Sequence, residues 1–154
     1  MKGCPSTDGW PFNFCMKNQA EISTASFTFR KEERLCSKKV IDRLFQEGKS
    51  FLVFPLKVVF LEMQLPSDFP VQAGFTVSKK IFKRAVHRNR IKRMMREAYR
   101  LNKHELYQKI ESRQLAVFFI FIGKEITDYK TIERSMKKSI QRIISSFATE
   151  SAQK

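Results

Sequence analysis

The sequence predicts an α+β fold: a single small domain in which a mostly antiparallel sheet is packed with helices, in the order α-β-β-β-α-β-α. Three observations carry this reading. Apolar residues recur at helical spacing in three separate stretches, and β-branched and aromatic residues gather between them, bounded by proline and glycine. The longest apolar run, Leu115 to Ile122, is eight residues long, which suits a buried strand and falls far below the roughly 18 residues of a membrane span. A chain of 154 residues has room for one core.

Residues 1–26 mix Pro5, Gly9, Trp10, Pro11, Asn13 and Asn18 with neither a helical nor an alternating period, which predicts a disordered N-terminal extension. The folded domain is expected over 27–149, with 150–154 as a flexible tail. Val40, Ile41, Leu44 and Phe45 give a short amphipathic helix with Ser37 as N-cap and Gly48 as its stop. Phe51 to Met63, broken by Pro55, reads as two strand segments, the second near Leu56 to Met63. Val71 to Ser78 alternates, with Ala73, Phe75 and Val77 on one face and Gly74, Thr76 and Ser78 on the other, the pattern of a half-buried antiparallel strand. A long helix follows from about Arg84 to Asn102, packing through Ile91, Met94, Met95, Ala98 and Leu101, with a second helical stretch or loop to Arg113. After the strand Leu115 to Ile122, Thr127 or Asp128 caps a last helix that runs to about Phe147.

The charge is as informative as the pattern. Lys plus Arg number 30 against 15 Asp plus Glu, a formal net charge of +15. The window from Lys79 to Lys103 holds eleven basic residues and one acid, Glu97, and so carries +10 of that total. Within the long helix Asn89, Lys92, Arg93, Arg96 and Arg100 form one polar stripe opposite the apolar one. A charge run is ordinarily a solvated helix face with mixed signs. Here like charges at i, i+4 repel by a few tenths of a kcal/mol per pair and almost no acid offsets them. A polyanion relieves that repulsion, and the planar fork of arginine suits phosphate oxygens, so nucleic acid is the expected partner. A helix-turn-helix would place a short helix directly before the basic one, whereas Val71 to Ser78 reads as a strand.

Other classes of function find less support. Cys4, Cys15 and Cys36 are odd in number, form no C-x-x-C pair and have no histidine at ligand spacing, so neither a zinc site nor a disulfide framework is expected. A reducing, cytoplasmic setting follows, consistent with the lack of an apolar signal core among residues interrupted by Asp8, Asn13, Lys17 and Asn18. His87 and His104 are isolated and make no acid/base pair. No Asp/Glu cluster at ligand spacing accompanies the basic helix, which disfavours a stand-alone metal-dependent nuclease. A ribosomal or DNA-binding module remains compatible with charge alone.

The order of residues goes further. Phe75-Thr-Val-Ser-Lys-Lys80, Ala85-Val-His-Arg-Asn-Arg-Ile-Lys-Arg93 and Arg96-Glu-Ala-Tyr-Arg100 resemble the signature of the bacterial ribonuclease P protein subunit, whose RNR motif matches Arg88-Asn89-Arg90. Glu33-Arg-Leu35, Leu44-Phe45, Gly48-Lys-Ser50 and Pro55-Leu-Lys-Val-Val-Phe60 extend the similarity, which covers about Phe27 to Phe147. The resemblance implies a left-handed crossover around the basic helix. It also implies an RNA-binding subunit that assists a catalytic RNA in removing the 5′ leader of precursor tRNA, with Mg2+ held by the RNA and no catalytic side chain, membrane or obligate protein partner. Carried over by position, Arg88, Asn89, Arg90, Lys92, Arg93 and Arg96 contact the RNA subunit, with Lys79, Lys80, Lys83 and Arg84 on its phosphates. Phe45 and Phe60 match aromatic positions of a cleft for the single-stranded leader. Ile41 stands where family members often carry an aromatic residue. Ile81-Phe82-Lys83-Arg84 replaces a loop that commonly contains glycine.

Overall fold

A computed structural model describes residues 28–66, 69–110 and 113–151. The expected extension of residues 1–26 lies outside the described residues, as do 152–154 of the expected tail. The elements are α1 (Lys38–Glu47), β1 (Lys49–Val53), β2 (Leu56–Glu62), β3 (Val71–Val77), α2 (Ala85–Ile110), β4 (Leu115–Phe121) and α3 (Tyr129–Ser151), in the expected order.

In α1, Val40 and Leu44 are buried. Ser37 occupies the N-cap position with extended backbone, but its side chain makes no capping hydrogen bond. Gly48 ends the helix by donating its N–H to Leu44 O at 3.0 Å. Its φ of −72° is open to any residue. Space is what requires glycine there, because a Cβ would collide with the Leu44 carbonyl oxygen and press on Val59.

The four strands form one sheet in the order β1-β2-β4-β3. β1 pairs antiparallel with β2, and β2 antiparallel with β4, while β3 runs parallel to β4 from Val71↔Leu115 to Val77↔Phe121. The half-buried antiparallel strand expected at Val71 to Ser78 is therefore corrected on both counts. It is parallel, and its first four residues are buried on both faces. Parallel strands joined by a helix are covered on both sides: here α2 lies over one face, and the Phe118 ring covers Gly74 on the other. The open edge of β3 is closed by the segment before α1, where Ala73 donates to Glu33 O at 2.9 Å and accepts from Leu35 N–H at 3.1 Å.

Strand parity sorts the core into two clusters. Leu56, Val58, Val117 and Phe119 face α2 and α3, whereas Val59 and Ala116 face α1 with Val40 and Leu44. On the first side α2 is one continuous 26-residue helix, longer than the stretch to Asn102 that periodicity suggested. Leu106 and Ile110 prolong the buried stripe of Ile91, Met95 and Ala98 by about three further turns. Leu101, expected on that stripe, is 41% exposed. It projects about 120° from the stripe's centre at 3.6 residues per turn, and Tyr99 and Asn102 fill the arc instead. Asn102 settles there by donating to Ala98 O at 2.7 Å. α3 also outruns its expected end at Phe147, continuing to Ser151, and packs through Ile132, Met136, Ile140 and Ile143.

Candidate nucleic-acid interface

The loop leaving β3 delivers the basic segment. Phe82 plugs into the core, 7% exposed, with its ring 6.0 Å from that of Phe121. Its N–H bonds to Ser78 O at 3.1 Å. Arg88, one turn into α2, donates through Nη1 to Phe82 O at 2.8 Å and to Lys83 O at 2.7 Å. A glycine-free loop is thus held by one apolar anchor and one guanidinium clamp, and the first arginine of the Arg88-Asn89-Arg90 triplet is partly committed inside the protein. Arg90, Arg93, Arg96 and Asn89 are exposed on the outer arc of α2, Lys92 is half-buried, and Lys79, Lys80, Lys83 and Arg84 are exposed along the loop.

Two other cations of the same window are spent elsewhere. Arg100 donates through Nε to Glu97 at 2.9 Å, and this hydrogen bond holds the Glu97 carboxyl below its ordinary range. Lys103 is 2% exposed and its ammonium reaches both carboxylate oxygens of Glu33, at 2.7 and 2.9 Å, and Thr28 O at 2.6 Å. The Tyr107 hydroxyl donates to Glu33 at 3.3 Å. Burial first, and then the Glu33 charge, push the Tyr107 phenol well above its ordinary value. Nine cations remain: Lys79, Lys80, Lys83, Arg84, Arg88, Arg90, Lys92, Arg93 and Arg96. Among the described residues none of the nine forms an ion pair with a carboxylate.

The aromatic positions separate. Ile41 and Phe45 lie one turn apart on α1; Phe45 is 49% exposed and meets the Phe118 ring edge-on at 5.3 Å. Phe118 in turn lies over Gly74, where any Cβ would overlap the ring. Phe60 is corrected: it is 5% exposed on the opposite side of the sheet, between the rings of Phe51 and Phe147, each 5.9 Å away. Side chains alternate along a strand, so Phe60 shares the parity of Leu56 and Val58, and Val59 is the β2 residue beneath α1. Phe118 and Gly74 were not singled out in the sequence. The unbroken apolar run of β4 hides its parity, but a glycine inside an alternating strand does signal a close approach.

Among the described residues no group of three or more His, Cys, Asp or Glu is placed to hold a metal ion, and no helix is long and apolar enough to cross a membrane.

The Ribonuclease P family model matches residues 29–144. The ribonuclease P protein component of Porphyromonas gingivalis is 44% identical over 126 residues, covering 79% of this chain and 90% of that one. That of Clostridioides difficile is 32% identical over 114 residues, covering 74% and 94%. Among solved structures, the RNase P protein from Thermotoga maritima superposes with a TM-score of 0.58 at 25% identity, over 71% of this chain and 98% of that one. The Staphylococcus aureus RNase P protein shares the fold, with a TM-score of 0.55 at 22% identity over 72% and 94%. Motif, fold and relatives agree, and the chain belongs to the ribonuclease P protein family, the protein component of an endoribonuclease ribonucleoprotein that processes tRNA.

Proposed function

We propose that this subunit binds the catalytic RNA through the β3–α2 loop and the first half of α2, and binds the single-stranded 5′ leader of precursor tRNA through the α1 side of the sheet. The observation that carries the reading is the set of nine cations that form no ion pair with a carboxylate among the described residues. Arg90, Arg93, Arg96 and Asn89 form the outer face, Lys92 flanks it, and Lys79, Lys80, Lys83 and Arg84 extend it along the loop; Arg88 orders that loop and adds its remaining donors. On the other side, Phe45 and Phe118 offer ring surface beside Ile41, and Gly74 leaves the room that the Phe118 ring occupies. A base stacked on such a ring gains about 1–3 kcal/mol.

No side chain is assigned a chemical step. The carboxylates nearest the basic face do not suit a divalent metal: Glu97 is paired with Arg100, and Glu33 is buried against Lys103. On this reading the RNA subunit supplies the Mg2+ for phosphodiester hydrolysis, and the protein supplies RNA contact and leader capture in the cytoplasm.

The test combines protein, RNA subunit and precursor tRNA, together and separately, at low and physiological salt. Cleavage is expected only with the RNA subunit, improved by the protein. If about six phosphates are contacted, log K for RNA-subunit binding falls with log salt at a slope of roughly −4 to −5. Cleavage by the protein alone, or no effect of protein on the RNA-dependent rate, overturns the proposal. Phe45→Ala is expected to weaken binding of leader-bearing tRNA by about 1–3 kcal/mol and leave mature tRNA unaffected; equal losses on both remove Phe45 from the leader site.

A further inference from the structure

A second cationic face lies on α3. At 100° per residue, Ile132, Met136, Ile140 and Ile143 centre the buried side, and the opposite arc carries Lys130, Arg134, Lys138 and Arg142 at intervals of four residues, all exposed. No acid falls within that arc. Glu133, at its border, is paired with Lys137 at 2.9 Å, and among the described residues Arg134 and Lys138 form no ion pair.

The α3 helix is tied to the β1 edge at two points. Ser135 Oγ donates to Phe54 O at 2.8 Å, and the Arg142 guanidinium sits 5.0 Å from the centre of the Phe51 ring. Phe54, at the turn between β1 and β2, is 65% exposed, and its carbonyl is the one that accepts from Ser135 on α3. The surface therefore combines a row of cations about 18 Å long, at 1.5 Å per residue, with an uncovered aromatic ring at its side. That combination fits a phosphate backbone with an unpaired base for the ring.

The position selects which RNA. α2 and α3 lie side by side on one face of the sheet: Tyr129 is within electrostatic reach of Glu97 and Arg100, and Lys137 of Glu105. The paired acids Glu97 and Glu133 lie along that seam, so the α3 stripe is a separate face in the α2 layer. The α1 groove is on the far side of the sheet.

We propose that Lys130, Arg134, Lys138 and Arg142, with Phe54, form a second contact surface for the RNA subunit, so that one protein holds two segments of that RNA. This rests on the reading of α2 as the first such surface.

The test measures binding of the full chain to the RNA subunit alone, and of precursor tRNA to the assembled holoenzyme, across a salt series. Arg134→Gln with Lys138→Gln is expected to make the salt slope for the RNA subunit shallower by about 1.4–1.8, the loss of two phosphate contacts, with several-fold weaker affinity at low salt and unchanged thermal unfolding. Lys31→Gln with Lys109→Gln, which removes equal charge elsewhere, is expected to change neither. An unchanged slope in the α3 variant overturns the proposal, as does an equal change in the charge control, or a loss confined to precursor tRNA. Arg90→Gln with Arg93→Gln in parallel separates the two readings: loss there without loss in the α3 variant leaves the α2 surface standing and removes the α3 one.

Discussion

From Ala85 to Arg96, α2 carries Arg88, Arg90, Lys92, Arg93 and Arg96 with no acid among them; Arg88 clamps the loop, Lys92 is half-buried, and Arg90, Arg93 and Arg96 are exposed. From Glu97 to Ile110 the same helix carries Arg100, Lys103 and Lys109, and the first two are paired with carboxylates, Arg100 with Glu97 at the surface and Lys103 with buried Glu33. One half presents charge and the other uses it to fasten the segment that precedes α1. Charge density along the helix does not distinguish these fates. What does is whether a carboxylate reaches the cation, and for Lys103 that carboxylate comes from 70 residues away.

Breaking the fastened half has the largest expected effect. Glu33→Ala leaves the Lys103 ammonium buried without its counter-charge, and a loss of about 3–5 kcal/mol of stability is expected, read as a fall in the denaturant midpoint; a change below 1 kcal/mol would mean that water replaces the carboxylate. Arg88→Ala falls between the two behaviours. It removes two hydrogen bonds to loop carbonyls, for about 1–3 kcal/mol of stability, and weakens RNA-subunit binding as well. Loss of binding with unchanged unfolding would show that the clamp does not order the loop.

Arg93→Ala sharpens the comparison from the other side. Stability is expected to hold within about 0.5 kcal/mol, while the salt slope of RNA binding becomes shallower by about 0.7–0.9. A stability loss without a slope change would reverse the assignment. The smallest expected effect is that of Glu97→Gln, which frees Arg100 and removes the one acid of the basic window, tightening RNA binding about twofold at low salt through an exposed Coulomb interaction. The pH dependence has the corresponding sign. The Glu97 carboxyl is depressed by its hydrogen bond to Arg100, so the pair's contribution is present above the ordinary glutamate value and lost as pH falls through the lower folded value. The wild type is expected to show that small acid loss, and the Gln variant to lack it.

Phe45 and Phe60 make a second pair of the same kind. Both are aromatic residues in segments that resemble the family, yet one is half exposed against Phe118 and the other is enclosed by Phe51 and Phe147. Phe60→Ala is accordingly a cavity mutation, expected to cost about 3–5 kcal/mol of stability.

The sequence by itself determined the element order, the apolar stripe of α2 through Ile91, Met95 and Ala98, the location of the charge between Lys79 and Lys103, and, through Arg88-Asn89-Arg90 and its surroundings, the family. These are local properties, set by helical period and residue order. Tertiary structure alone decided that β3 runs parallel to β4, that Lys103 is withdrawn from the nucleic-acid face, and that Phe60 and Phe45 lie on opposite sides of the sheet. The physical reason is that all three rest on contacts distant in sequence. A strand's facing is fixed by pairing register, where one residue reverses the side, and the exposure of a charge is fixed by contacts that chain neighbours do not encode.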